Sequence, residues 1–289
     1  MKPRISILGA LALCLSLTAS AQLSNPQGLA FDSAGHLWVA NYGANNVLEL
    51  NATNGAVLNT ITNGVNGPTR LFFVGSDLYV VNTNGNTVTE YGNRIATGWS
   101  LFDTISIPPS VNKCLGAAVD AYGDVYLAGN QSDNIFVYRT RREVVENLTQ
   151  DANGFPFTAP GTLVIQGQNI YAGFGSGDSE DAVISYNVGD FLSGNPQEIT
   201  VYNDNVNTGP TGVAFDAEGN VYISEFYSGT AVKYAPGGGT PLMVIGQNIN
   251  GPEGIAVAKN RKIYVSNSGS NNISVYKSNG EPSFPATID

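Results

Sequence analysis

The chain is poor in the residues from which metal centres and nucleophilic relays are built. It has one histidine, two cysteines and two methionines in 289 residues. A single histidine, His36, excludes a multi-histidine zinc site and a histidine dyad. Cys14 lies in the N-terminal apolar stretch, so Cys114 has no intramolecular partner once that stretch is removed, and no disulfide supports the fold. With no Cys-x-x-Cys motif near it, Cys114 reads as a small buried hydrophobe. Basic charge is scarce too, with 13 Lys and Arg against 23 Asp and Glu and a formal net charge of −10. That balance argues against nucleic acid and against anionic membrane surfaces, both of which call for a basic face. No phosphate loop or nucleophile elbow occurs, and no 3.6-residue apolar period is sustained.

Long hydrophobic runs are missing as well. Ile5 to Leu17 is apolar but shorter than the about 20 residues a spanning helix needs. Lys2 and Arg4 precede it and Ala19-Ser20-Ala21 follows it. Together these read as a secretory signal peptide over residues 1–21, cut before Gln22. The expectation is a mature domain over 22–289 that is secreted or periplasmic, monomeric and not inserted in a membrane.

What the chain does have is repetition. Six segments align: NPQGLAFDSAGHLWVAN (25–41), GPTRLFFVGSDLYVVN (67–82), KCLGAAVDAYGDVYLAG (113–129), APGTLVIQGQNIYAGF (159–174), GPTGVAFDAEGNVYISE (209–225) and GPEGIAVAKNRKIYVSN (251–267). Each holds an apolar run, a polar turn and a second run around an aromatic anchor: Trp38, Tyr79, Tyr126, Tyr171, Tyr222 or Tyr264. A third run follows, as in NVLEL (46–50) or NISVY (272–276), and a less regular fourth, as in AVLNTIT (56–62). Val, Ile, Tyr, Phe and Thr dominate these runs, which is strand chemistry. The Asp-x-x-Gly turns at Asp32–Gly35, Asp120–Gly123 and Asp216–Gly219 suit hairpins, since Asp bonds its own backbone and Gly adopts positive φ. Four strands in a unit of about 45 residues, six times over, predict an all-β fold, a six-bladed β-propeller with four-stranded antiparallel blades. The last strand is expected around Ser283–Ile288, and how the ring closes on itself is left open.

The pattern Pro-x-Gly-apolar-Ala-apolar-Asp-x-x-Gly-x-apolar-Tyr-apolar-Ser/Ala-Asn resembles the NHL repeat, shared with the gluconolactonase/regucalcin-like superfamily. The resemblance spans essentially all of 22–289. For the lactonases of that superfamily it implies a divalent cation, such as Ca2+, held by a Glu, an Asn and an Asp at strand-entry positions. Here Glu253 matches in type. Gln27 is an amide where the first-blade Glu is expected, and Leu115 and Gly161 offer no ligand. Glu225 would have to add a second carboxylate.

Blade topology points to the site. The residue entering the first strand and the residue leaving the second lie on one rim near the axis. The entry positions are Gln27, Thr69, Leu115, Gly161, Thr211 and Glu253, and the exit positions are Asn41, Asn82, Gly129, Phe174, Glu225 and Asn267. Arg70 stands where other blades have glycine (Gly28, Gly212, Gly254). The candidate channel mouth is therefore Gln27, Asn41, Arg70, Asn82, Glu225, Glu253 and Asn267, with Glu253 and Glu225 as candidate metal ligands. His36 falls on the opposite rim and reads as a solvated turn residue. A complete repeat without a complete catalytic constellation favours a non-catalytic binding or scaffold module for a protein, glycan or small ligand. A metal-dependent hydrolase of the lactonase type is the alternative.

Overall fold

The computed structural model describes residues 22–94, 98–139, 144–175, 181–202 and 208–289. The expected signal peptide, residues 1–21, lies outside them. The chain folds as a six-bladed β-propeller, each blade an antiparallel sheet of four strands consecutive in sequence. The first strands, nearest the axis, are Pro26–Phe31, Pro68–Val74, Cys114–Val119, Pro160–Gln166, Pro210–Phe215 and Pro252–Val257. The second strands, Leu37–Asn41, Asp77–Asn82, Val125–Gly129, Asn169–Phe174, Val221–Glu225 and Ile263–Asn267, carry the six anchors. The last strand of the chain is Pro282–Ile288. The one α-helix among the described residues, Val188–Leu192, buries Phe191 beside blade four.

Apolar burial sits in the seams between blades. Every seam holds a cluster of buried side chains drawn from the two blades it joins. The anchors face the following blade: Trp38 packs with blade-two residues, with Trp99 at 4.8 Å between ring centroids, and Tyr264 packs with blade one, where Phe31 lies edge-on at 5.1 Å. Large aromatic rings and the aliphatic side chains around them fill these seams and bury apolar area there.

The Asp-x-x-Gly turns form as their chemistry requires. Asp216 Oδ1 accepts from the N–H groups of Glu218 and Asn220, and Gly219 has φ 81°. The other oxygen, Oδ2, accepts from the Tyr222 hydroxyl at 3.1 Å. Asp32 with Trp38 and Asp120 with Tyr126 repeat the arrangement. Each turn thus orients its own blade's anchor.

The ring closes without strand exchange, because each sheet is built from one contiguous stretch. Blade six meets blade one through side chains: Tyr264 donates to Ala52 O at 3.1 Å, Ser266 Oγ donates to Gln27 O, and Asn25 N donates to Asn271 Oδ1 at 2.7 Å. Gly254 is required here. A Cβ on it would lie 2.4 Å from the Gln27 carbonyl oxygen.

Candidate functional site

The ladder between first and second strands is irregular at the same place in all six blades, between the strand-opening residue and its second or third successor. In blade two, Pro68 pairs with Asn82 and Arg70 with Val81, leaving Thr69 unpaired. Such a bulge re-aims a side chain that the pleat would otherwise commit to a seam. The residue before each first strand helps impose it: Asn25, Gly67, Lys113, Ala159, Gly209 and Gly251 all have positive φ. As a result Gln27, Thr69, Leu115, Gly161, Thr211 and Glu253 all line one axial cavity of about 890 Å³.

Arg70 forms the floor of this cavity. Its Nη1 donates to Thr69 O at 2.8 Å and its Nη2 donates to Thr211 O. Blades two and five stand opposite in the ring, so the side chain crosses the channel. The same Nη2 lies 3.9 Å from Glu253 Oε2, too far for a hydrogen bond. Its buried Nε has no hydrogen-bond partner among the described residues. Burial lowers the guanidinium from its ordinary value, with Glu253 acting against that shift. Burial pushes the Glu253 carboxyl up, with Arg70 and Lys113 pulling it back. Beyond Arg70 lies a second, apolar compartment of about 190 Å³ lined by the first strands, including Leu29, Leu71, Leu163 and Ile255. The channel is thereby divided into a polar mouth and an apolar base.

The exit residues are placed differently. Asn41, Asn82 and Asn267 are fully buried and do not line the cavity. Each accepts, through Oδ1, the backbone N–H two residues before its own blade's first proline: Ser24 at 2.7 Å, Asn66 at 3.0 Å and Asn250 at 3.1 Å. Their Nδ2 groups donate into the third strand, as Asn267 does to Asn272 Oδ1 and Ser274 Oγ, each at 2.9 Å. In blade three Gly129 leaves room for Ser132, whose hydroxyl accepts from Asn112 N at 2.9 Å and takes over the same task. Glu225 is buried and accepts from Thr230 at 2.7 Å and Ser228 at 3.0 Å in its own blade. Of the seven candidate residues, Gln27, Arg70 and Glu253 come together at the cavity, while Asn41, Asn82, Glu225 and Asn267 face the loops of their own blades.

Parity explains the difference. The exit residue lies three positions after an anchor that faces the next blade, so the strand's two-residue period turns it to the opposite face of its sheet, away from that seam. The side chains that reach the cavity sit one residue later, at Tyr42, Thr83, Asn130 and Phe226. Tyr227, Asn84 and Lys113 join them. Tyr42 meets Asn84 through its hydroxyl at about 3.4 Å. Phe226 and Tyr227 stand edge-to-face at 5.5 Å and are 38% and 58% exposed, forming an aromatic lip.

The sequence profile of the SMP-30/gluconolactonase/LRE-like region matches residues 14–84. No curated protein matches the chain. Among solved structures, a catalytically inactive virginiamycin B lyase from Staphylococcus aureus, determined with quinupristin, is similar at 15% identity and a TM-score of 0.63, covering 91% of this chain and 85% of that one. A streptogramin B lyase is similar at 15% identity and a TM-score of 0.62, with 91% and 83% covered. Hydrazine synthase from Kuenenia stuttgartiensis is similar at 14% identity and a TM-score of 0.64, with 92% and 99% covered. At these identities the likeness is one of fold, and one fold hosts many activities.

Proposed function

We propose that this propeller is a non-catalytic binding module that takes a small polar ligand with an anionic group into its axial mouth. It does so outside the cytoplasm, after loss of residues 1–21. The observation that carries this reading is Arg70, anchored on two opposite blades beneath a cavity of about 890 Å³. That volume suits a drug-sized or monosaccharide-sized ligand. The guanidinium retains donors for an oxyanion, and Lys113 adds a second positive charge at the wall. Amides around the wall satisfy hydroxyl or amide groups, and the Phe226–Tyr227 lip offers apolar faces.

A ligand-observed NMR screen against uronic acids, amino acids, neutral sugars and short peptides tests this. The expected result is a hit among the anionic polar compounds that Arg70→Met abolishes. A panel with no binder, or a hit indifferent to Arg70→Met, contradicts it.

The lactonase reading draws support from the profile match and from Glu253, the single carboxylate lining the cavity among the described residues. A hard divalent cation needs several oxygen ligands, usually with carboxylates. Here the guanidinium of Arg70 stands beside that carboxylate and repels such an ion. Thermal unfolding with and without Ca2+ separates the two readings. A calcium-dependent rise in Tm, lost in Glu253→Gln and accompanied by lactone hydrolysis, would favour the hydrolase.

A further inference from the structure

On the rim opposite the cavity, blade one gathers the chain's only histidine with two carboxylates. His36 Nδ1 lies 2.8 Å from Glu49 Oε1 and 3.3 Å from Asp32 Oδ2. Asp32, His36 and Glu49 are the one group of three or more metal-capable side chains among the described residues, and their ligand atoms all lie within 4.8 Å of one another. Two strands and a turn fix them. Asp32 closes the hairpin, His36 precedes the second strand, and Glu49 on the third strand is the direct cross-strand partner of Trp38.

Blade five supplies an internal control. Its hairpin has Asp216 where blade one has Asp32, Asn220 for His36, Tyr222 for Trp38 and Lys233 for Glu49, the last pair fixed by the Tyr222–Lys233 register. There, Lys233 Nζ lies 3.1 Å from Asp216 Oδ2. A tethered cation therefore sits against the turn aspartate. Blade one puts a second carboxylate, Glu49, in that place, and burial disfavours its charge. Among the described residues, no lysine or arginine forms an ion pair with either acid, and His36 Nδ1 lies between them. The groups around them are complete: Trp38 Nε1 donates to Asp32 Oδ2 at 3.1 Å and the His36 backbone N–H donates to Asp32 Oδ1 at 2.9 Å. A ligating carboxylate is commonly oriented by such bonds.

We infer that Asp32, His36 and Glu49 form a binding site for one divalent transition-metal ion of the zinc class. Zinc takes imidazole nitrogen and carboxylate oxygen at about 2.0–2.2 Å in tetrahedral array, which sets neighbouring ligand atoms a little over 3 Å apart. The two separations from His36, 2.8 and 3.3 Å, fit with a shift of a few tenths of an ångström, and the two carboxylates, within 4.8 Å of each other, close on the ion by side-chain rotation. The nitrogen donor selects against calcium and magnesium, which favour all-oxygen sets. The His36 side chain is 38% exposed, so the ion has a path from solvent and water can complete its shell. Bound there, it ties the first hairpin of blade one to its third strand, where Lys233 does the same for blade five. The axial cavity takes no part in this inference.

Calorimetric titration of zinc chloride into the untagged full-length mature protein tests it. One zinc per chain is expected. Glu49→Lys, which copies blade five, should abolish binding while leaving the melting temperature at or above that of the parent. His36→Asn, which copies Asn220, should weaken binding by at least an order of magnitude. If Glu49→Lys does not fold, Glu49→Gln, nearly the same size, must show the loss instead. Glu253→Gln should bind as the parent does. Absence of binding up to millimolar zinc overturns the inference and leaves His36 as a hydrogen-bond bridge between two acids. Unchanged affinity in the Glu49 variants overturns it equally.

Discussion

The two ends of the inner hairpin read differently from blade to blade. At the exit of the second strand, asparagine recurs in three blades, buried and bonded to the same backbone N–H each time. At the entry of the first strand, no two cavity side chains are alike except Thr69 and Thr211. Repetition marks the parts every blade needs to hold its own loops. Departure from repetition marks the surface where the blades jointly present one set of chemistry. Arg70 is the extreme case: four blades have glycine in its place (Gly28, Gly116, Gly212 and Gly254), and its side chain crosses the axis.

Glycines sharpen this comparison with the largest expected effect. Gly254 lies in the closing seam, where a Cβ would strike the Gln27 backbone, whereas Gly161 occupies an entry position with nothing within 4 Å. Gly254→Ala should cost about 2–3 kcal/mol, in the range of overpacked cores. Gly161→Ala should change stability by no more than about 0.5 kcal/mol. Urea unfolding of both variants measures this, and equal losses would break the distinction.

Ser266→Ala comes next. Its buried hydroxyl accepts from Gly254 N at 2.8 Å and donates to Gln27 O. Leaving those two groups unsatisfied should cost about 1–2 kcal/mol. Because the loss falls on the only seam that joins the ends of the chain, thermal unfolding should lower Tm without changing far-UV circular dichroism at 25 °C.

A smaller effect depends on pH. Burial raises the Glu253 carboxyl above its ordinary value. Well below that ordinary value both folded and unfolded chains hold the proton, and the group contributes nothing. As pH rises, the unfolded chain releases its proton first, so stability falls until the folded-state value is passed. Glu253→Gln removes this slope. The stability of the variant relative to the parent should therefore increase from pH 4 to pH 7, and a difference that is flat or decreasing would show that the carboxyl is not held up by burial.

The smallest effect is chemical. Burial pushes the Cys114 thiol up to about 12, and its Sγ donates to Gly116 O at 3.3 Å. A thiol reagent at neutral pH should label the protein only after denaturation.

The fold was legible because each blade repeats strand chemistry, a polar turn (Asp-x-x-Gly in blades one, three and five) and an aromatic anchor, and the strands fall where those signals put them. Closure of the ring was not, since it depends on contacts between Ser266, Tyr264 and blade one that no local pattern encodes. For the site, Gln27, Arg70 and Glu253 were within reach of the sequence because the bulge follows the strand-opening residue in every repeat. Asn41, Asn82, Glu225 and Asn267 were placed at the mouth by rim alone. Strand parity, counted from the anchor, carried the information that they face away from the anchor's side and that the residues after them, such as Tyr42 and Phe226, reach the cavity in their place. The partnership of His36 with Glu49 was hidden by register. The two meet only because Glu49 pairs across from Trp38, and the lysine at the matching place in blade five is the one local clue.

The measurement that tests the account most directly is the unfolding free energy of Asn267→Ala beside that of Glu253→Gln at pH 7. Asn267→Ala strips partners from Asn250 N, Asn272 and Ser274, and should lose about 2–3 kcal/mol. Glu253→Gln should shift stability by less than about 1 kcal/mol. If the entry carboxylate proves as costly to replace as the exit asparagine, Glu253 belongs to the scaffold, and the division between repeated framework and variable site is wrong.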